Sequence, residues 1–130
     1  MSVFTKIINK EIPAYIIRED DDFIAFLDIA PLVQGHVLVV PKLETDKVFD
    51  LPQELLSSML VFAQPIAKAI EQSFDCMRCG VSIIGLEVPH AHMHLVPIST
   101  ADDLNFTRKK LVVTSEELSA SREIILKNMV

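Results

Sequence analysis

Val88-Pro89-His90-Ala91-His92-Met93-His94-Leu95-Val96-Pro97 decides how this chain is read. It holds three of the four histidines, at every second position. In extended backbone, successive side chains point to opposite faces. His90, His92 and His94 would then share one face. Pro89, Ala91, Met93 and Leu95 would share the other, which is apolar and suits a core. Neighbouring imidazoles would stand about 6.6 Å apart, at ~3.3 Å rise per residue. On a helix they would splay, because i and i+2 do not face each other. The spacing therefore predicts a strand over residues 91–98. Pro89 and Pro97 bracket the segment, and proline is tolerated at strand ends.

Three alternating imidazoles admit three readings. A neutral histidine is a good nucleophile toward phosphorus and titrates near neutrality. His-x-His on a strand can also give two ligands to zinc. The third reading is a polar strand face in water. Spacing alone does not choose among them.

Working outward, Gly85 to Glu87 reads as a turn, and Arg78 to Ile84 as the strand before it. Upstream lies a long helix to about Ser73, with Asp50 as its N-cap and Pro52 just inside. Leu55, Met59, Phe62, Ile66 and Ile70 form its apolar stripe, and Pro65 should kink it. His36-Val37-Leu38-Val39-Val40 is nearly all apolar, as a strand buried on both faces would be. Tyr15–Glu19 and Phe23–Asp28 read as a hairpin around an acidic turn. Val3–Asn9 has helical spacing of Phe4, Ile7 and Ile8. After the histidines, residues 105–113 show no clear period. Thr114 and Glu117 make a capping box, so a helix should follow to about Lys127. The expected fold is α+β: an antiparallel meander of about five strands with helices packed on it.

The chain has 130 residues, 50% of them hydrophobic, which suits one domain over 1–130 with a single core. Its net charge of −6 argues against a nucleic-acid or membrane surface, since both need clustered Lys and Arg. A local cradle can still bind the phosphate of a single nucleotide. No apolar run reaches the ~20 residues that span a bilayer. The N-terminus lacks the pattern of a signal peptide, so a cytoplasmic location is expected. Cys76 and Cys79 form one Cys-x-x-Cys, weak evidence for redox or zinc chemistry without further cysteines.

His90-Ala91-His92-Met93-His94-Leu95-Val96 resembles the His-φ-His-φ-His-φ-φ signature of the histidine-triad (HIT) family, with φ apolar. Two further blocks agree, in the family's order. One is Phe26-Leu27-Asp28-Ile29-Ala30-Pro31 with Gly35-His36-Val37-Leu38-Val39-Val40-Pro41-Lys42; the other is Phe4 to Ala14. The small nucleoside phosphoramidase and nucleotide hydrolase branch is the nearest likeness. The resemblance implies a homodimer and a purine nucleotide or nucleoside phosphoramidate substrate, with no cofactor and no catalytic metal. His92 would be the nucleophile at the α-phosphorus. A backbone carbonyl at His90 would fix its tautomer, and His94 with a His90 N–H would hold phosphate oxygens. His36 would order the triad, and Asp28 would accept the ribose hydroxyls. Phe4, Ile12, Phe26 and Ile29 would form the base slot.

The sequence also departs from the family. Gly85-Leu86-Glu87 replaces a Gly-rich loop that ends in Gly-Gln-Ser or Gly-Gln-Thr. Ser82 stands where the family often has Asn, and Glu87 would add a negative charge near the phosphate site, which bears on leaving-group preference. Ser2 and Thr5 stand where some members carry zinc-binding cysteines. Two other functions stay open: a nucleotide-binding regulatory module with little turnover, or a metal-binding protein using the four histidines. Residues 99–130 lie outside the family blocks, and the sequence assigns this extension no chemistry.

Overall fold

A computed structural model describes residues 1–129. The elements run α1 (Val3–Ile8), β1 (Ile16–Glu19), β2 (Phe23–Leu27), β3 (Val37–Pro41), α2 (Gln53–Ser73), β4 (Arg78–Ser82), β5 (Met93–Ile98) and α3 (Ser115–Lys127). Short 3-10 turns occur at Val48–Asp50 and Ala101–Leu104. The five strands form one antiparallel sheet in the order β1-β2-β3-β5-β4.

The α+β class and the five strands match the expectation, but the sheet is not a pure meander. β5 inserts between β3 and β4. The reason is burial: β5 is buried along most of its length, whereas β4 carries exposed residues and takes the edge. α2 carries the chain from β3 across the sheet to that edge.

Residues alternate between two apolar clusters. Phe23, Ala25, Val37, Val39, Met93 and Leu95 face α2 and α3 in the larger one. Ile24, Phe26, Leu38 and Val40 face α1, where Phe4 covers them. His94 pairs with Leu38 across β3 and β5, so it stands on the α1 side. The long helix starts later than expected, at Gln53 with Pro52 as N-cap; Asp50 instead ends the preceding 3-10 turn. The helix continues through Pro65. Pro65 has no N–H to return to the carbonyl one turn back. Arg18 donates to the neighbouring Phe62 carbonyl at 2.6 Å and lies over the Phe62 ring.

A candidate active site at the start of the fifth strand

β5 begins at Met93, so only His94 of the three histidines lies on the strand. His90 ends the bend before it and His92 follows outside any element, so the strand starts two residues later than the expected residue 91, while Phe4 still meets the His90 and His92 rings and His92 meets His94. The bend turns His90 inward. Its ring is fully buried, with Nε2 at 2.8 Å from the Pro41 carbonyl and Nδ1 at 2.6 Å from the Ser2 hydroxyl. Both ring nitrogens are thus used inside the protein, and no His90 ring N–H is left for a phosphate oxygen. The main-chain part of the expectation holds: His92 Nδ1 lies 2.7 Å from the His90 carbonyl.

These partners fix every tautomer. A carbonyl only accepts, so His92 carries its proton on Nδ1 and keeps a lone pair on Nε2. By the same rule His90 is protonated at Nε2, and its Nδ1 accepts from Ser2. The Leu32 N–H donates to His36 Nδ1 at 3.0 Å, so the His36 proton is on Nε2. From there it is donated to His94 Nδ1 at 2.9 Å. His94 is left with an N–H at Nε2. Every fully buried side-chain nitrogen or oxygen among the described residues has a hydrogen-bond partner. Among the described residues His92 Nε2 and His94 Nε2 have no such partner, so neither atom is fully buried. Their rings meet edge to face at 4.9 Å.

Burial keeps the supporting histidines neutral. It lowers His36 to about 3 and His94 to about 4, with neighbouring histidines and Lys110 adding to the effect. Burial also lowers His90. A histidine whose folded pKa lies below its unfolded value binds fewer protons when folded. Stability is then complete above pH ~6.5 and lost as pH falls toward the folded values. Each such histidine contributes a slope of up to about 1.4 kcal/mol per pH unit in that window. Urea midpoints should fall between pH 7 and pH 5; a flat profile would show that these rings charge in place.

Asp28 is partly buried. Burial raises its pKa and the Glu87 carboxylate adds to this, while the Ala30 N–H, Lys110 and His92 act the other way. Asp28 Oδ1 accepts from Ala30 N–H at 2.9 Å, and Oδ2 lies 3.7 Å from His36 Nε2. The other expected site residues spread out. Phe4 meets Phe26, His90 and His92 at ring distances of 5.6, 5.8 and 5.1 Å. Ile12 is half-buried and outside that cluster, and Ile29 is 69% exposed. Ser82 ends β4 opposite His94, and Glu87 is exposed in the bend. A cleft of about 400 Å³ opens beside His92, lined by Lys47, Phe49, Ile83 and Leu86 among others.

A second network ties the N-terminus to the triad. The Ser2 side chain accepts from Thr5 N–H, capping α1, and donates to His90. Glu44 accepts from Ser2 N–H and from the Thr5 hydroxyl at 2.6 and 2.7 Å. Residue spacing did not reveal this link, because Ser2 and His90 are far apart in sequence.

Asp28, His36 and His94 offer three possible metal-ligand atoms within 4.8 Å of one another. They do not fit a metal ion. His36 Nδ1 takes the Leu32 N–H, so Nε2 carries the proton and has no lone pair to give. Cys76 and Cys79 are free thiols, and burial with Glu71 nearby pushes Cys79 up to about 12. Neither is a reactive thiolate.

Residues 9–101 match the family model described as the HIT domain. The chain is 38% identical to an adenosine 5′-monophosphoramidase of Saccharomyces cerevisiae over 73% of this chain and 61% of that one. A HIT-like protein of Bartonella henselae, solved by crystallography, superposes with a TM-score of 0.85 at 30% identity, covering 98% of this chain and 95% of that chain. A zinc-bound histidine triad family protein of Mycobacterium smegmatis gives a TM-score of 0.80 at 31% identity, covering 98% and 91%. With its triad, its sheet and this match over most of its length, the chain belongs to the HIT family.

Proposed function

We propose that this protein is a nucleotide hydrolase that cleaves at the α-phosphate through a nucleotidyl-histidine intermediate on His92. One observation carries the reading: His92 Nδ1–H is anchored on the His90 carbonyl, which leaves the lone pair on Nε2, and the His94 ring, with its N–H on Nε2, lies edge to face against it at 4.9 Å. In the first step Nε2 attacks the α-phosphorus. A P–N bond forms as the bond to the leaving group breaks, and the leaving group takes a proton from water. The positive charge arising on the His92 ring is held by its hydrogen bond to the His90 carbonyl. His94 donates to a phosphate oxygen where negative charge builds. Water then attacks phosphorus, the P–N bond breaks, and nucleoside monophosphate leaves with His92 neutral again. Splitting one displacement into two is the logic of covalent catalysis.

Asp28 is the acceptor for the ribose hydroxyls, and Phe4 and Phe26 wall the base. The relative named as an adenosine 5′-monophosphoramidase supports a purine phosphoramidate as substrate. A homodimer is favoured by an exposed apolar surface: Leu60 and Val61 on α2, and Val81, Ile83 and Ile84 on and after β4. That surface adjoins an open sheet edge, which antiparallel pairing with a second copy would cover.

A second reading, a nucleotide-binding module with little turnover, is favoured by Glu87, whose charge is felt at Asp28. A hydrolysis panel separates the two: purine phosphoramidates, diadenosine polyphosphates and sugar nucleotides, each with and without a chelator. Release of nucleoside monophosphate, unchanged by the chelator, is expected. Tight nucleotide binding without release would favour the module, and activity lost on chelation and restored by zinc would favour a metalloenzyme.

A further inference from the structure

The C-terminal extension returns to the site. Residues 105–113 run beside the loop that follows Asp28 without forming a helix or strand. Two bonds fasten them there: Arg108 donates to the Leu32 carbonyl, and Leu111 N–H donates to the Pro31 carbonyl, both at 2.9 Å. The strap places Phe106 edge-on against His94 at 4.5 Å and near His36 at 6.2 Å. Lys110 folds back over that ring. Its Nζ lies 5.7 Å from the ring centre and donates to the Phe106 carbonyl at 3.0 Å.

The ammonium is therefore held one aromatic ring away from His94. It is partly buried, and among the described residues it forms no ion pair. A long side chain whose stem is partly covered can still present its ammonium to an anion. Its charge is felt at Asp28, His36 and His94. None of these residues lines the cleft beside His92. On the proposed function Asp28 holds the ribose, so the charge of Lys110 is felt on the nucleotide's side of the site.

We propose that Lys110, carried in on the C-terminal strap, binds the non-bridging oxygens of the nucleotide's 5′-phosphate. The assignment rests on reading this site as a nucleotide hydrolase. A contact to that phosphate strengthens every substrate alike, whatever leaves. An ammonium is a compact, mobile charge that can follow the phosphate as it moves between leaving group and His92.

Binding of adenosine 5′-monophosphate and of adenosine to the full chain tests this, by calorimetry on the wild type, Lys110→Met, Lys110→Arg and Lys109→Met. Lys109 is an exposed neighbour, so its variant removes the same net charge without touching the site. Lys110→Met should weaken adenosine 5′-monophosphate about tenfold, or about 1.4 kcal/mol, and adenosine by less than about twofold. Lys110→Arg should keep most of the phosphate preference, and Lys109→Met should change neither ligand. Equal losses for both ligands, or the same loss in Lys109→Met, would overturn the phosphate contact. Wild-type protein that binds the monophosphate while Lys110→Met binds it equally well overturns this assignment alone. Wild-type protein that does not bind the monophosphate overturns the hydrolase reading and this assignment with it.

Discussion

Replacing His92 with Asn should reduce turnover by at least about 10³-fold, the scale on which removal of a covalent nucleophile is felt. The fold should survive, because His92 lies just before β5 and outside both apolar core clusters. Among the described residues its one side-chain hydrogen bond is from Nδ1 to the His90 carbonyl, which an Asn amide can partly replace. The covalent species gives a sharper readout than rate. Brief incubation with α-labelled nucleotide and rapid denaturation should leave label on wild-type protein. A phosphorus–nitrogen bond should survive base and break in mild acid. The label should map to His92 and vanish in His92→Asn. If that variant keeps most of the wild-type rate, another group is the nucleophile.

His36→Leu should have the next largest effect, and it acts without touching substrate. Removing the ring leaves the Leu32 N–H without its acceptor and His94 Nδ1 without its donor. Each orphaned buried group costs about 1–3 kcal/mol. His94 is then free to move its proton to Nδ1, which takes the donor away from the phosphate. Loss of one such donor lowers kcat by about 10²–10³-fold. His36→Gln is the discriminating partner variant. Its amide oxygen can accept from Leu32 and its amide nitrogen can donate to His94, so it should recover part of the rate. A purely structural role would let Leu and Gln variants of equal stability show equal kcat. That result would sink the relay from Leu32 through His36 to His94.

Much of this was legible in the sequence for a physical reason. Alternation over Met93 and Leu95 is a local property, and it placed the core face of β5 correctly. Thr114 and Glu117 are three residues apart, so their capping box could be read directly and is formed as expected. The strand's start was not legible. Pro89 and the carbonyl bonding of His90 bend the chain before Met93, and the buried partners of His90 come from Ser2 and Pro41. Such long-range partners leave no periodic trace. Ile29 read as part of an apolar slot yet projects into solvent, because hydrophobicity alone does not say which way a loop residue points. Phe106 and Lys110 were missed for the same reason: residues 105–113 have no period, and only tertiary tethers bring them to the histidines.

The double duty of the Ser2 hydroxyl ties the proposed chemistry to a short helix. One side chain both caps α1 and completes the bonding of His90. A six-residue helix has little persistence of its own and leans on the packing of Phe4. Each excursion of that first turn would strip His90 of its hydroxyl partner and Phe4 from the wall beside His92, while the sheet stayed intact. On the proposed function, the fraction of molecules competent for chemistry would follow local opening of α1, and heating would lower activity before it melts the fold.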